Sequence, residues 1–168
     1  MEQLTPTRFI FSEAFKLYEY NIETEQIQTY TDPNFQNISR IFFVDSMLGY
    51  ALKVPLGILR TTDGGVSWTV INTTVMSDFG SNEIIFLDSL LGFCSRSTSG
   101  APTLKTIDGG FVWDTIFYNN THFGVSDIYV NNNSNPKNIL LLNSSSLWIT
   151  TDTCETFNMI DMTPTSYG

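Results

Sequence analysis

Cationic side chains are scarce in this chain. Against 17 Asp and Glu it has 8 Lys and Arg, one His and a formal net charge of −9. Nucleic acid and anionic membrane both require clustered cations, so neither is expected as a partner. Cysteine is nearly absent. Cys94 and Cys154 are too few for a disulfide framework, and no C-x-x-C or Cys/His cluster accompanies them. Both are read as free thiols, and no metal site and no cofactor is expected. Long apolar runs are missing as well: none approaches the roughly 18 residues of a membrane span. The opening MEQLTPTRFIF has no basic segment leading into an apolar stretch. No signal peptide is therefore expected, and the chain is read as soluble.

Aromatic residues are what the chain has in quantity. They make up 14% of it, with 13 Phe, 7 Tyr and 3 Trp, nearly matching the 15% that is charged. Such a composition builds strands; it suits neither disorder nor coiled coil. The 168 residues suffice for one single-core domain.

A short pattern then recurs. Residues 60–68 read RTTDGGVSW, 105–113 read KTIDGGFVW, and a worn copy at 149–157 reads ITTDTCETF. Asp63, Asp108 and Asp152 are thus spaced 45 and 44 residues apart. Upstream, DSMLGY from Asp45 is repeated as DSLLGF from Asp88, 43 residues later. A period in this range marks a repeat architecture of small β units. Asp-Gly-Gly between β-rich flanks signals a hairpin. The carboxylate can accept bonds from N–H groups of its own turn, and the Trp five residues on is a packing anchor for the return strand. Nothing in this account needs a substrate. Asn21, 42 residues before Asp63, stands where a fourth, heavily worn copy would hold its Asp.

The nonapeptide resembles the Asp-box, or BNR repeat, found in sialidases, sortilin, xyloglucan-cleaving glycosidases and photosystem II assembly factors. In those families it forms the hairpin between the third and fourth strands of each β-propeller blade. The resemblance makes Thr61, Asp63, Gly65 and Trp68, then Thr106, Asp108, Gly110 and Trp113, then Thr150, Asp152 and Phe157 structural Asp-box residues. Thr153 and Cys154 replace the glycines in the last copy. The fold expected is all-β: a β-propeller-like array of four-stranded antiparallel blades, forming one domain. It divides into a degenerate N-terminal blade (1–36), two clear blades (37–80 and 81–124), and a degenerate blade with tail (125–168). In the first, 7–12 and 15–20 read as strands, with a short helix over 12–20 as the alternative, and one strand is missing. Two outcomes stay open: a four-blade form closed or nearly so, or an arc completed by another chain or by self-association.

Catalysis is not expected. The four arginines, Arg8, Arg40, Arg60 and Arg96, do not include the sialidase Phe/Tyr-Arg-Ile-Pro motif, and Arg60 matches Lys105 within the repeat. Paired carboxylates are available, yet acids solvating turns is the simpler account. His122 with Ser126 and Asp127 makes a local cluster rather than a triad. Candidate ligand-facing aromatics are Phe79, Phe111, Tyr118, Phe123 and Tyr129. The expected role is a non-catalytic interaction or structural module within a larger assembly, a viral or phage virion being one fit by class. A carbohydrate-binding module for host-surface glycans is the alternative, and a glycoside hydrolase-like propeller the second alternative. Protein partners or self-association are expected, with glycan as the competing ligand.

Overall fold

The computed structural model describes residues 2–13, 16–54, 57–72, 82–96, 102–117, 125, 127–131, 138–142, 146–152 and 155–162. Among them every regular element is a strand, and no helix is long and apolar enough to cross a membrane. The strands form four antiparallel four-stranded sheets, each built from consecutive strands.

Sheet 1 comprises β1 (Glu2–Thr5), β2 (Arg8–Glu13), β3 (Lys16–Asn21) and β4 (Gln26–Thr31). Sheet 2 comprises β5 (Ile38–Phe43), β6 (Gly49–Lys53), β7 (Ile58–Thr61) and β8 (Thr69–Asn72). Sheet 3 holds β9 (Asn82–Phe86), β10 (Gly92–Arg96), β11 (Thr103–Thr106) and β12 (Asp114–Phe117). Sheet 4 holds β13 (Asp127–Asn131), β14 (Asn138–Leu142), β15 (Ser146–Thr150) and β16 (Asn158–Asp161).

One expectation fails here. The first sheet lacks no strand, because Glu2–Thr5 pairs with β2 through Glu2↔Ile10, Gln3↔Phe9 and Thr5↔Arg8. Four residues followed by Pro6 carry too short a pattern to read as a strand, and only the partner supplies its hydrogen bonds.

The chain divides into two compact units. One contains Met1–Phe79, Ile84–Gly92 and Thr106–Trp113, hence sheets 1 and 2 and two turn-bearing stretches of sheet 3. The other contains Gly80–Glu83, Phe93–Lys105 and Asp114–Gly168.

Strand alternation gives each sheet two faces. On sheet 1, Ile10 and Leu17 join Ile41, Phe43, Ala51, Leu59 and Trp68 of sheet 2 in one buried cluster. We call the sheet 1 side of this junction its downstream face and the sheet 2 side its upstream face. The downstream face of sheet 2 carries Tyr50, Leu52 and Ile58, each at most 1% exposed. Tyr50 stacks on Phe86 with ring centroids 3.6 Å apart. Burying each such side chain contributes about 1.5–3 kcal/mol. Both faces of sheet 2 are therefore apolar, which explains stretches such as 41–43 of β5 that show little polar alternation.

The linker after β4 belongs physically to sheet 2. The Trp68 N–H donates to Asp32 Oδ2 (2.8 Å), and Asn34 Nδ2 donates to the Trp68 carbonyl (2.9 Å). Phe35, 1% exposed, lies 5.2 Å from the Trp68 ring.

Candidate functional site

The repeated turns come first, because they hold most of the residues singled out from sequence. Thr61 ends β7 with its hydroxyl buried. Its Oγ1 donates to Asp63 Oδ1 (2.7 Å) and accepts from the N–H groups of Asp63 (3.3 Å) and Gly65 (3.0 Å). Asp63 in turn accepts from the Ser67 N–H (2.9 Å) and the Ser67 hydroxyl. The Trp68 indole N–H closes the turn on the Gly65 carbonyl (3.1 Å).

The next copy has the same wiring. Thr106 Oγ1 donates to Asp108 (2.8 Å) and accepts from Gly110 (3.0 Å); Asp108 accepts from the Phe111 and Val112 N–H groups, both at 3.0 Å. The Trp113 indole N–H reaches the Gly110 carbonyl at 2.8 Å. Each turn also leans on its upstream Asp-Ser partner. The Gly64 N–H donates to the Met47 carbonyl and the Gly109 N–H to the Leu90 carbonyl, both at 2.9 Å. Asp45 and Asp88 cap those partners by accepting two N–H bonds each. Asp63 and Asp108 thus occupy equivalent corners of sheets 2 and 3.

The third copy keeps the Thr150–Asp152 bond (2.7 Å), and Asp152 accepts from the N–H groups of Glu155 and Thr156. Residues 153 and 154, where the glycines are replaced, lie outside the described residues. Phe157 is half-buried and, having no indole N–H, cannot close the turn as the tryptophans do. Asn21 caps its own hairpin by accepting from Glu23 (2.9 Å) and Thr24 (3.2 Å).

Gly65 and Gly110 have φ of +93° and +94°. A Cβ on Gly65 would lie 2.5 Å from Leu17 Cδ2 of sheet 1, and one on Gly110 would lie 3.0 Å from Ile71 Cδ1 of sheet 2. The second glycine of each motif therefore receives a side chain of the preceding sheet. That is a packing role.

Electrostatically the turn aspartates are committed. Burial pushes the Asp63 carboxyl up, but bonds from Ser67, Thr61 and Val66 outweigh it and hold it below the ordinary range. The Val112 N–H is the largest influence holding Asp108 low, and the Thr156 hydroxyl and N–H hold Asp152 low. A carboxylate satisfied by N–H donors is a weak base.

Sequence reasoning missed a cross-strand cluster on sheet 1. Arg8 grips Glu19 in bidentate fashion, Nε to Oε1 at 2.6 Å and Nη2 to Oε2 at 2.8 Å. The Tyr30 hydroxyl donates to Glu19 Oε2 at 3.1 Å. The Arg8 bond holds Glu19 below its ordinary value, and burial raises Tyr30. The cluster ties β2, β3 and β4 together, with both Glu19 oxygens occupied. It has no sequence signal, because its members meet only on diagonal positions of the sheet.

The upstream face of sheet 1 is open. Register places Phe9, Tyr20 and Ile27 in one cross-strand row and Phe11, Tyr18 and Thr29 in the next. Phe9, Phe11, Tyr20, Ile22 and Ile27 line an apolar depression of about 450 Å³. Ile27 is 61% exposed, and the Phe11 and Tyr18 rings lie nearly parallel, 5.1 Å apart.

Of the aromatics proposed as ligand-facing, Phe111 and Tyr129 are exposed, one in the β11–β12 turn and the other on β13. Phe79, Tyr118 and Phe123 lie outside the described residues, as do His122, Ser126 and Cys154. The apolar depression contains none of the five. Arg40 is exposed, Arg60 pairs across strands with Tyr50, and Cys94 is buried and free of any disulfide. Among the described residues no three metal-ligating side chains gather.

No protein-family model matches the chain, and no curated protein matches it. Solved structures do. YCF48 bound to D1 peptide is similar over 73% of this chain, with a TM-score of 0.56 and 17% identity. An ancestral GH74 enzyme is similar over 92%, with a TM-score of 0.56 and 12% identity. The chain spans 39% and 24% of those two chains. These likenesses and the four antiparallel sheets give a β-propeller-like fold.

Proposed function

We propose that the chain is a non-catalytic propeller module, built on Asp-box turns, that contributes a protein-binding surface to a larger assembly. The observation that carries this reading is the apolar depression on sheet 1, lined by Phe9, Phe11, Tyr20, Ile22 and Ile27. Exposed aromatic and aliphatic surface of this kind is costly to leave in water and marks contact sites. The spent carboxylates of Asp63, Asp108 and Asp152 support the non-catalytic part, since a general base must be free to take a proton. YCF48, similar in fold, is bound to a D1 peptide, which supports protein as the ligand class.

Screening displayed peptides by fluorescence anisotropy tests the reading. Binding of apolar peptides that disappears in Ile27→Asp is the expected result. Binding indifferent to that change, or none across the library, overturns it. The non-catalytic part fails if fluorogenic glycosides are turned over and replacing one carboxylate abolishes that turnover.

A glycan-binding module is the second reading, favoured by the parallel Phe11 and Tyr18 rings, which offer a stacking platform. A glycan array decides between them: binding lost in Phe11→Ala selects the sugar.

A further inference from the structure

The buried hydroxyls of the repeated turns are satisfied on the spot. Thr61, Thr106 and Thr150 are at most 2% exposed, and each donates to the motif aspartate two residues on. Two other hydroxyls break that pattern. Ser95 on β10 is 1% exposed and Thr103 on β11 is fully buried, yet neither side-chain oxygen has a hydrogen-bond partner among the described residues.

The two belong together. β10 and β11 are neighbours in sheet 3, and both residues lie in the second compact unit. The repeat fixes their register. Ser95 stands two residues past DSLLGF as Leu52 stands two past DSMLGY, and Thr103 precedes the motif Thr106 by three residues as Ile58 precedes Thr61. Leu52 and Ile58 are directly opposed across β6 and β7. The contacts that set this register are shared: Gly92 lies against the Phe86 ring as Gly49 lies against Phe43, and the Gly109 N–H bonds the Leu90 carbonyl as the Gly64 N–H bonds that of Met47. Ser95 and Thr103 are therefore cross-strand neighbours on one face, where opposed Cβ atoms lie about 4.5–5.5 Å apart. The same place in sheet 4 holds Leu142 opposite Leu147. Sheets 2 and 4 thus put two aliphatic side chains where sheet 3 puts two hydroxyls.

A buried hydroxyl without a partner gives up its bonds to solvent and gains none in return. One water resolves two such groups side by side, accepting from one hydroxyl and donating to the other. Space agrees with this. Relative to Leu and Ile, Ser and Thr are together smaller by about three heavy atoms, which covers the ~30 Å³ share of one water.

We infer that Ser95 and Thr103 hold an ordered water molecule between them, a hydration site built into sheet 3 at a position that is dry in sheets 2 and 4. The site ties β10 to β11 through side chains as well as backbone. It lies in the interior of the module and is independent of the binding surface on sheet 1. Both hydroxyls are buried, so the water exchanges only when sheet 3 opens locally, and its residence time reports that opening.

The test is magnetic relaxation dispersion of isotope-enriched water oxygen on the full chain. It counts long-lived internal waters by their oxygen, so exchange of hydroxyl protons does not contribute. Ser95→Ala combined with Thr103→Val removes both hydroxyls and nearly keeps their shape. Its dispersion amplitude is expected to fall below that of wild type by about one water molecule. An amplitude equal to that of wild type overturns the inference. If the double variant fails to fold, a high-resolution crystal structure of wild type replaces it. Density within hydrogen-bond distance of both side-chain oxygens is the expected result. Two hydroxyls bonded directly to each other, or no density between them, overturns it.

Discussion

At the scale of single residues, the turn chemistry is repeated almost atom for atom. Thr61 and Asp63, then Thr106 and Asp108, satisfy each other and the N–H groups between them. The glycine that follows is held by a neighbouring side chain as much as by its dihedral angle. Gly65→Ala brings a methyl within 2.5 Å of Leu17 Cδ2 at a φ of +93°. Overpacking and backbone strain together predict a loss of about 2–4 kcal/mol, read as a lower urea midpoint. Leu17→Ala in the same background should recover part of it, because the methyl then has room. An unchanged midpoint in Gly65→Ala would mean the turn is far softer than this geometry.

At the scale of elements, each sheet is a chain-local meander, and this is why so much was legible. The Asp-Gly-Gly and Asp-Ser-x-Leu-Gly turns fix strand ends by residue type alone. The strands flanking them emerge where the spacing puts them, for example β7 running up to Thr61 and β9 ending at Phe86. What escaped sequence reading depends on register or on long-range contact. Glu2–Thr5 becomes a strand only through β2. Phe35 is buried only by distant residues, Trp68 among them. Arg8, Glu19 and Tyr30 are 11 residues apart at each step and converge only once three strands are aligned. That cluster carries the element-scale prediction. Glu19→Gln removes the charge that Arg8 grips on a largely buried side chain. Sheet 1 should lose about 1.5–3 kcal/mol, the worth of hydrogen bonds to a charged group. Amide exchange in β2 to β4 should quicken more than in β6 or β7. Uniform quickening across the chain would argue that the cluster does not act locally.

For the whole molecule, the acidic balance and the committed aspartates set the response to pH. Asp45, Asp63, Asp108 and Asp152 all titrate below their ordinary value in the folded chain. The unfolded chain therefore takes up protons at higher pH than the folded one. Stability from these groups is complete above about pH 4, the unfolded aspartate value, and drains away as pH falls below it. Melting temperature should be flat between neutral pH and that point and then drop. Asp63→Asn should show a shallower drop. A melting curve that keeps rising into acid would contradict the assignment.

The splice made by residues 32–35 decides where a repeat can be cut. Asp32, Asn34 and Phe35 follow sheet 1 in the sequence, yet they clasp Trp68 in sheet 2. The physical boundary between the first two modules therefore falls before Asp32, not after it. A repeat transplanted from Ile38 onward would keep Phe43 beside its tryptophan but lose Phe35 and both backbone bonds, whereas one starting at Asp32 would carry its own latch.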